Sequence, residues 1–202
     1  MKILNKLPKS NPNLHVELIN NGWIPMKEPK NLISAILLSI PLMIVASMIS
    51  IGIINIFSSI SLRDFGFTSG GISITINVSV ILGIVLLLII HEILHLIFIP
   101  NFMKSEKTAV GLTLFGGFVI TEEEISKSRY LFITVAPFII LSIIFPLVFS
   151  AFGLLTTTLK FLIILNSLGS SVDLLNLLLI MKQVPKNATL TCNGPNTYWK
   201  KA

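Results

Sequence analysis

Four long apolar runs constrain this chain more than any other feature: Leu32 to Phe57, Ile76 to Pro100, Tyr130 to Phe152 and Phe161 to Met181. Each is near or above the roughly 20 residues that span a hydrocarbon core. Inside lipid every backbone N–H and C=O must be satisfied within its own segment, which leaves helices as the solution for isolated runs. The composition agrees: 53% hydrophobic and 12% charged residues are far from the balance of a soluble domain. The expected fold is therefore an all-α integral membrane protein, a four-transmembrane-helix bundle over residues 32–181 with tails at 1–31 and 182–202. Pro41 inside the first run is tolerated as a kink, because neighbouring helices can satisfy the carbonyl it frees. The first run is too long, and preceded by too much polar chain, for a cleaved signal peptide, so it is expected to remain as an anchor.

The net charge of +6 raises the question of nucleic acid. Its placement answers against nucleic acid, because the cations gather at helix ends rather than on one basic, aromatic face. Lys2, Lys6, Lys9, Lys27 and Lys30 precede the first run; Lys104, Lys107, Lys127 and Arg129 lie between the second and third; Lys182, Lys186, Lys200 and Lys201 follow the fourth. Arg63 and Lys160 alone fall in the other two loops. The positive-inside rule then expects a multi-pass cell-membrane protein with both termini and the middle loop cytoplasmic. A lone Cys192 in the polar tail excludes a disulfide framework and a Cys-based zinc site, and suits a reducing compartment.

Between the runs the chain reads unevenly. Residues 1–31 mix Lys, Asn, Pro and Glu around Trp23 and read as a loosely ordered tail. The glycine-rich stretch Ser58 to Thr75 reads as a connector. Ala109 to Ile120 in the cytoplasmic middle loop is β-branched and aromatic, with Gly116-Gly117 at a plausible turn, and reads as a short β-hairpin. Glu122, Glu123 and Glu124 read as a solvated approach to the third helix. No repeat, heptad seam or phosphate-binding glycine loop is present.

The chemistry lies in the second run, which contains His91-Glu92-Ile93-Leu94-His95. Two histidines four residues apart project from one helical face and can reach one metal ion, with the glutamate beside them. In that pattern the imidazoles hold zinc and the carboxylate takes the proton of the attacking water. On a wet helix this pattern often means nothing. At mid-bilayer each ionisable group costs roughly 2.5 to 3.5 kcal/mol, and three within five positions have no bland explanation. His15, alone in the tail, reads as a surface residue.

A catalytic zinc site takes a third protein ligand, and Asp173 is the carboxylate buried in a predicted helix. It stands nine residues before Lys182, at the cytoplasmic end of helix four, while His91 stands ten before Asn101, at the cytoplasmic end of helix two. Both offsets are about 14 Å of helix, so the side chains share a depth. Asn166, Gly169 and Ser170 recur beside Asp173 as a small, polar stripe that faces protein. Helix packing through small residues explains those three as well as a role in the site does.

Three segments together resemble a known family: I-I-H-E-I-L-H at Ile89 to His95, Ala136-Pro137 in the third run, and N-S-L-G-S-S-V-D at Asn166 to Asp173 before a Lys- and Pro-containing exit. They look like the bacterial membrane family called putative zincin peptidases, which is similar in layout to the site-2 proteases. The resemblance covers about residues 80–200 and implies proteolysis in or at the membrane. Two positions depart from the site-2 pattern: Ile140 stands where a G-P-x-x-N motif would place Asn, and Leu174 rather than Gly follows the aspartate. The hydrogen-bond donor to the transition state is thereby left unassigned.

The expected protein is a membrane-embedded zinc endopeptidase, with Zn2+ on His91, His95 and Asp173, Glu92 as the base, and membrane proteins or peptides as substrates. The rival is a non-catalytic metal-binding membrane protein, a metal carrier or an accessory or immunity factor. A carrier needs ligands but no base, so Glu92 favours the enzyme. A bundle with fortuitous polar residues would require His91, His95 and Asp173 to pair only with one another.

Overall fold

The computed structural model describes residues 1–68, 70–72, 78–113 and 116–201. In chain order these form β1 (Lys2–Leu4), α1 (Pro12–Asn20), β2 (Ile24–Pro25), α2 (Leu32–Phe57), a 3-10 turn (Leu62–Phe65), β3 (Phe67–Thr68) and β4 (Gly71–Ile72). There follow α3 (Val78–Leu96), β5 (Thr108–Thr113), β6 (Gly116–Thr121), β7 (Ile125–Ser126), α4 (Lys127–Ile139), a π turn (Ile140–Ile144) and α5 (Phe145–Ala151). The chain ends with α6 (Thr157–Gly169), α7 (Ser171–Gln183), β8 (Ala188–Asn193) and β9 (Asn196–Lys201).

Among the described residues, four helical stretches are long and apolar enough to cross a membrane: Leu32–Phe57, Val78–Leu96, Lys127–Ala151 and Thr157–Gln183. The last two begin ahead of the apolar runs, and the lysines this takes in are held by backbone carbonyls, Lys127 Nζ donating to Val184 O at 2.5 Å and Lys160 Nζ to Ser59 O at 2.7 Å. Large side chains such as Leu37, Leu38, Met48, Leu82 and Leu86 stay exposed on α2 and α3. An apolar surface of that extent is matched by lipid, not water.

The buried face of α2 carries Ser39, Ala46, Ser50 and Ile54. Small residues let backbones approach closely, and hydroxyls then bridge helices that have no hydrophobic drive to associate in lipid. Ser39 Oγ lies 3.2 Å from Ser171 Oγ, and Ser50 Oγ lies 2.5 Å from Ser167 Oγ. Pro41 leaves α2 unbroken. In the third span Pro146 has no N–H for the carbonyl of Ser142, one turn back. Ser50 Oγ donates to that carbonyl at 3.2 Å, and the π turn lies just before the proline.

The all-α expectation is corrected by the sheets, one of three strands in the order β1-β5-β6 and one of four in the order β2-β9-β8-β7. The expected hairpin exists, with Ala109 paired to Ile120 and Thr113 to Gly116. Gly116 and Gly117 lie inside β6 and not at the turn, while residues 114 and 115 of the expected hairpin lie outside the described residues. Residues 1–31 are not loosely ordered. β1 runs parallel to β5, and β2 joins β9 of the C-terminal hairpin. Asn11 N donates to Asn193 Oδ1 at 2.8 Å and Asn193 Nδ2 donates back to Asn11 O at 2.9 Å, while Leu18, Trp23 and Tyr198 bury one another. The Ser58 to Thr75 stretch contains the 3-10 turn and the β3-β4 pair, and its residues 69 and 73–75 lie outside the described residues.

Candidate active site

One turn of α3 separates His91 from His95, and their rings stand edge to face with centroids 5.1 Å apart. Asp173, near the start of α7, reaches both: its Oδ2 lies 3.2 Å from His91 Nε2 and 3.6 Å from His95 Nε2. The three side chains thus meet between α3 and α7.

The other ring nitrogens are committed. His95 Nδ1 lies 2.8 Å from the Ile133 carbonyl oxygen, which can only accept, so Nδ1 carries the proton. That carbonyl is available because the residue one turn on, Pro137, has no N–H to offer it. His91 Nδ1 lies 2.9 Å from Asn166 Oδ1. The Asn166 amide is oriented by donation from Nδ2 to Ser142 Oγ at 2.9 Å and to Pro137 O at 3.3 Å, which turns its oxygen toward the imidazole. Both histidines therefore present an Nε2 lone pair toward Asp173 whenever they are neutral. A proton fixed on one ring nitrogen by an oxygen acceptor is the arrangement metal-binding histidines require.

The donor atoms of His91, His95 and Asp173 all lie within 4.8 Å of one another. Two nitrogens and one carboxylate oxygen, each partly exposed to a cavity, fit a zinc ion with a coordination position left open. The sequence anticipated these three residues together with Glu92, and the structure brings all four to one place. It also adds the Ile133 carbonyl, Ser142 and the helical role of Pro137. Asn166, weighed equally as packing and as site, does both.

Glu92 is buried, with its carboxyl against Gly117 of β6, and lines the same cavity as the two histidines and Asp173. Gly117 makes room for it: a Cβ there would overlap the Glu92 carboxylate and the carbon that bears it. Gly117→Ala is accordingly expected to cost about 1 to 3 kcal/mol through overpacking. A drop in the thermal unfolding midpoint in detergent would show it, and an unchanged midpoint would mean that β6 does not press on Glu92.

A cavity of about 680 Å3 opens over the cluster, bounded by β6 and by faces of α2, α3, α4, α6 and α7. Tyr130 and Cys192 also line it, with Tyr130 OH 3.4 Å from Cys192 Sγ. Burial pushes the Cys192 thiol up to about 11, and Cys192 lies outside the group of donors formed by His91, His95 and Asp173. His15 is exposed, as expected, with Nδ1 2.7 Å from Tyr198 OH.

A family model described as "Putative zincin peptidase" matches residues 84–189. No curated protein and no solved structure matches the chain. The matched segment runs from within α3 to the start of β8 and contains His91, Glu92, His95 and Asp173. Because the match covers more than half of the 202 residues, the chain belongs to the putative zincin peptidase family of metallopeptidases.

Proposed function

We propose that this protein is a zinc-dependent endopeptidase of the membrane, similar to site-2 proteases, with His91, His95 and Asp173 as metal ligands and Glu92 as general base. The observation that carries the reading is the pair of imidazoles whose Nδ1 protons are fixed by Ile133 O and Asn166 Oδ1, so that both Nε2 atoms converge on Asp173. Zinc held there would supply a Lewis acid able to activate water near neutral pH. Glu92 then accepts the proton of the water that attacks the peptide carbonyl and returns a proton to the departing amine nitrogen. A non-catalytic metal-binding protein would need the three ligands and gain nothing from a carboxylate held at this position.

The substrate surface follows from β6. Among the described residues β6 pairs only with β5, and its residues Gly116 to Val119 line the cavity together with Glu92. An extended peptide added to that edge would satisfy its exposed backbone groups, which a membrane helix must unwind to present. The cavity also reaches apolar side chains of both α2 and α3, including Ile36 and Ile84, which suits a membrane-associated substrate. In the lysine-based orientation, reporters placed after Lys30, within residues 103–128 and after Met181 should all register the cytoplasm. An extracytoplasmic signal from the middle position would reverse the orientation.

Co-reconstitution tests the activity. Purified protein in liposomes with a panel of single-span membrane proteins should yield fragments that disappear with 1,10-phenanthroline and return with added zinc. Fragments that persist in the chelator would contradict a metal-dependent peptidase.

A further inference from the structure

The cavity is lined by several polar side chains beyond the four already assigned, and nearly all are occupied by the protein itself. Thr121 bonds Thr108 (2.9 Å), Thr134 donates to Tyr130 O (2.9 Å), Ser171 bonds Ser39 (3.2 Å), and Tyr130 pairs with Cys192. Asn166 is taken by His91, Ser142 and Pro137. Asn176 differs: it lines the same cavity, is partly buried, and has no hydrogen-bond partner among the described residues.

With no partner among the described residues, this carboxamide is left to the cavity that it lines, on a helix whose neighbouring positions 174, 175, 177, 178 and 179 are all leucine. Asn176 also stands three residues after Asp173, the spacing that makes side chains neighbours on one helix face, about 4.5 Å further along the axis. A carboxamide offers both a donor and an acceptor, which matches the N–H and C=O of an extended backbone.

We propose that Asn176 binds the backbone of the substrate segment beside the bond to be cut, donating to a carbonyl oxygen and accepting from an N–H. The proposal rests on the peptidase reading above. It assigns Asn176 the contact with a peptide backbone, and leaves the metal to His91, His95 and Asp173.

Binding of two probes to the zinc-loaded protein in detergent separates these roles. Acetohydroxamate engages a metal and has no peptide backbone, whereas leucyl-leucine hydroxamate carries both. Asn176→Ala should weaken the dipeptide probe about tenfold, the worth of one or two hydrogen bonds, and leave acetohydroxamate unchanged. Asn176→Leu, which suits an apolar helix and lacks both hydrogen-bonding groups, should do the same and decides the matter if the alanine variant does not fold. Unchanged binding of the dipeptide probe, or equal loss of both probes, would overturn the assignment of Asn176 alone. Failure of both variants to fold would mark the residue as structural and overturn it too. A wild-type protein that binds neither probe would overturn the metal reading, and the assignment with it.

Discussion

Glu92→Gln is expected to reduce cleavage by about 100- to 10,000-fold, the range general-base catalysis contributes, with zinc content and fold unchanged. The geometry separates the two properties. The metal-binding group consists of His91, His95 and Asp173, while Glu92 faces β6, in space left by the missing side chain of Gly117. Glutamine has the same length and nearly the same volume, so it fills that space without the overpacking a larger residue would cause. It lacks the basic carboxylate and cannot take a proton from water. Fragment yield and bound zinc should be measured on the same preparations. Normal zinc with cleavage at the wild-type rate would remove the peptidase mechanism and put a metal carrier or accessory factor in its place.

How much of this could be read in the residues divides along physical lines. The spans were legible because a bilayer imposes a length on apolar runs, and their boundaries moved only where polar groups found local partners. Lys127 and Lys160, for example, extend helices whose apolar runs begin three and one residues later, at Tyr130 and Phe161. The candidate site was legible for the same reason. Ionisable residues are so disfavoured inside lipid that His91, Glu92, His95 and Asp173 stand out, and helical rise alone places them at one depth.

The sheets were less legible. β1 has three residues and β2 and β7 have two each, too short to show a period, and they form because a longer strand lies beside them. The C-terminal hairpin did leave a signal: Asn193-Gly194-Pro195-Asn196 separates two runs rich in Thr, Leu and aromatic residues. Gly194 turns there with φ at +57°, and a Cβ on it would press on the backbone of Lys9 and Ser10. The role of Pro137 was hidden differently. Its effect is an absence, the N–H it does not give to Ile133 O, and the meaning of that absence appears only when His95 is seen to use the carbonyl.

Loss of a metal ligand is the other large expected effect. His91→Ala or His95→Ala removes a nitrogen donor, and Asp173→Ala removes the carboxylate that closes the three-residue site, so each should abolish stoichiometric binding. Among the described residues no neighbouring group joins these donors: Asn166 is held by four partners, His91, Pro137, Ser142 and Ser170, Cys192 lies outside the group, and Glu92 packs against Gly117 of β6. The most direct measurement is therefore the zinc content of detergent-purified wild type beside Asp173→Ala, both shown to be folded. About one zinc per chain in the wild type and little in the variant is the predicted result, whereas a wild type without zinc, or a variant that retains it in full, would contradict the assignment of this site.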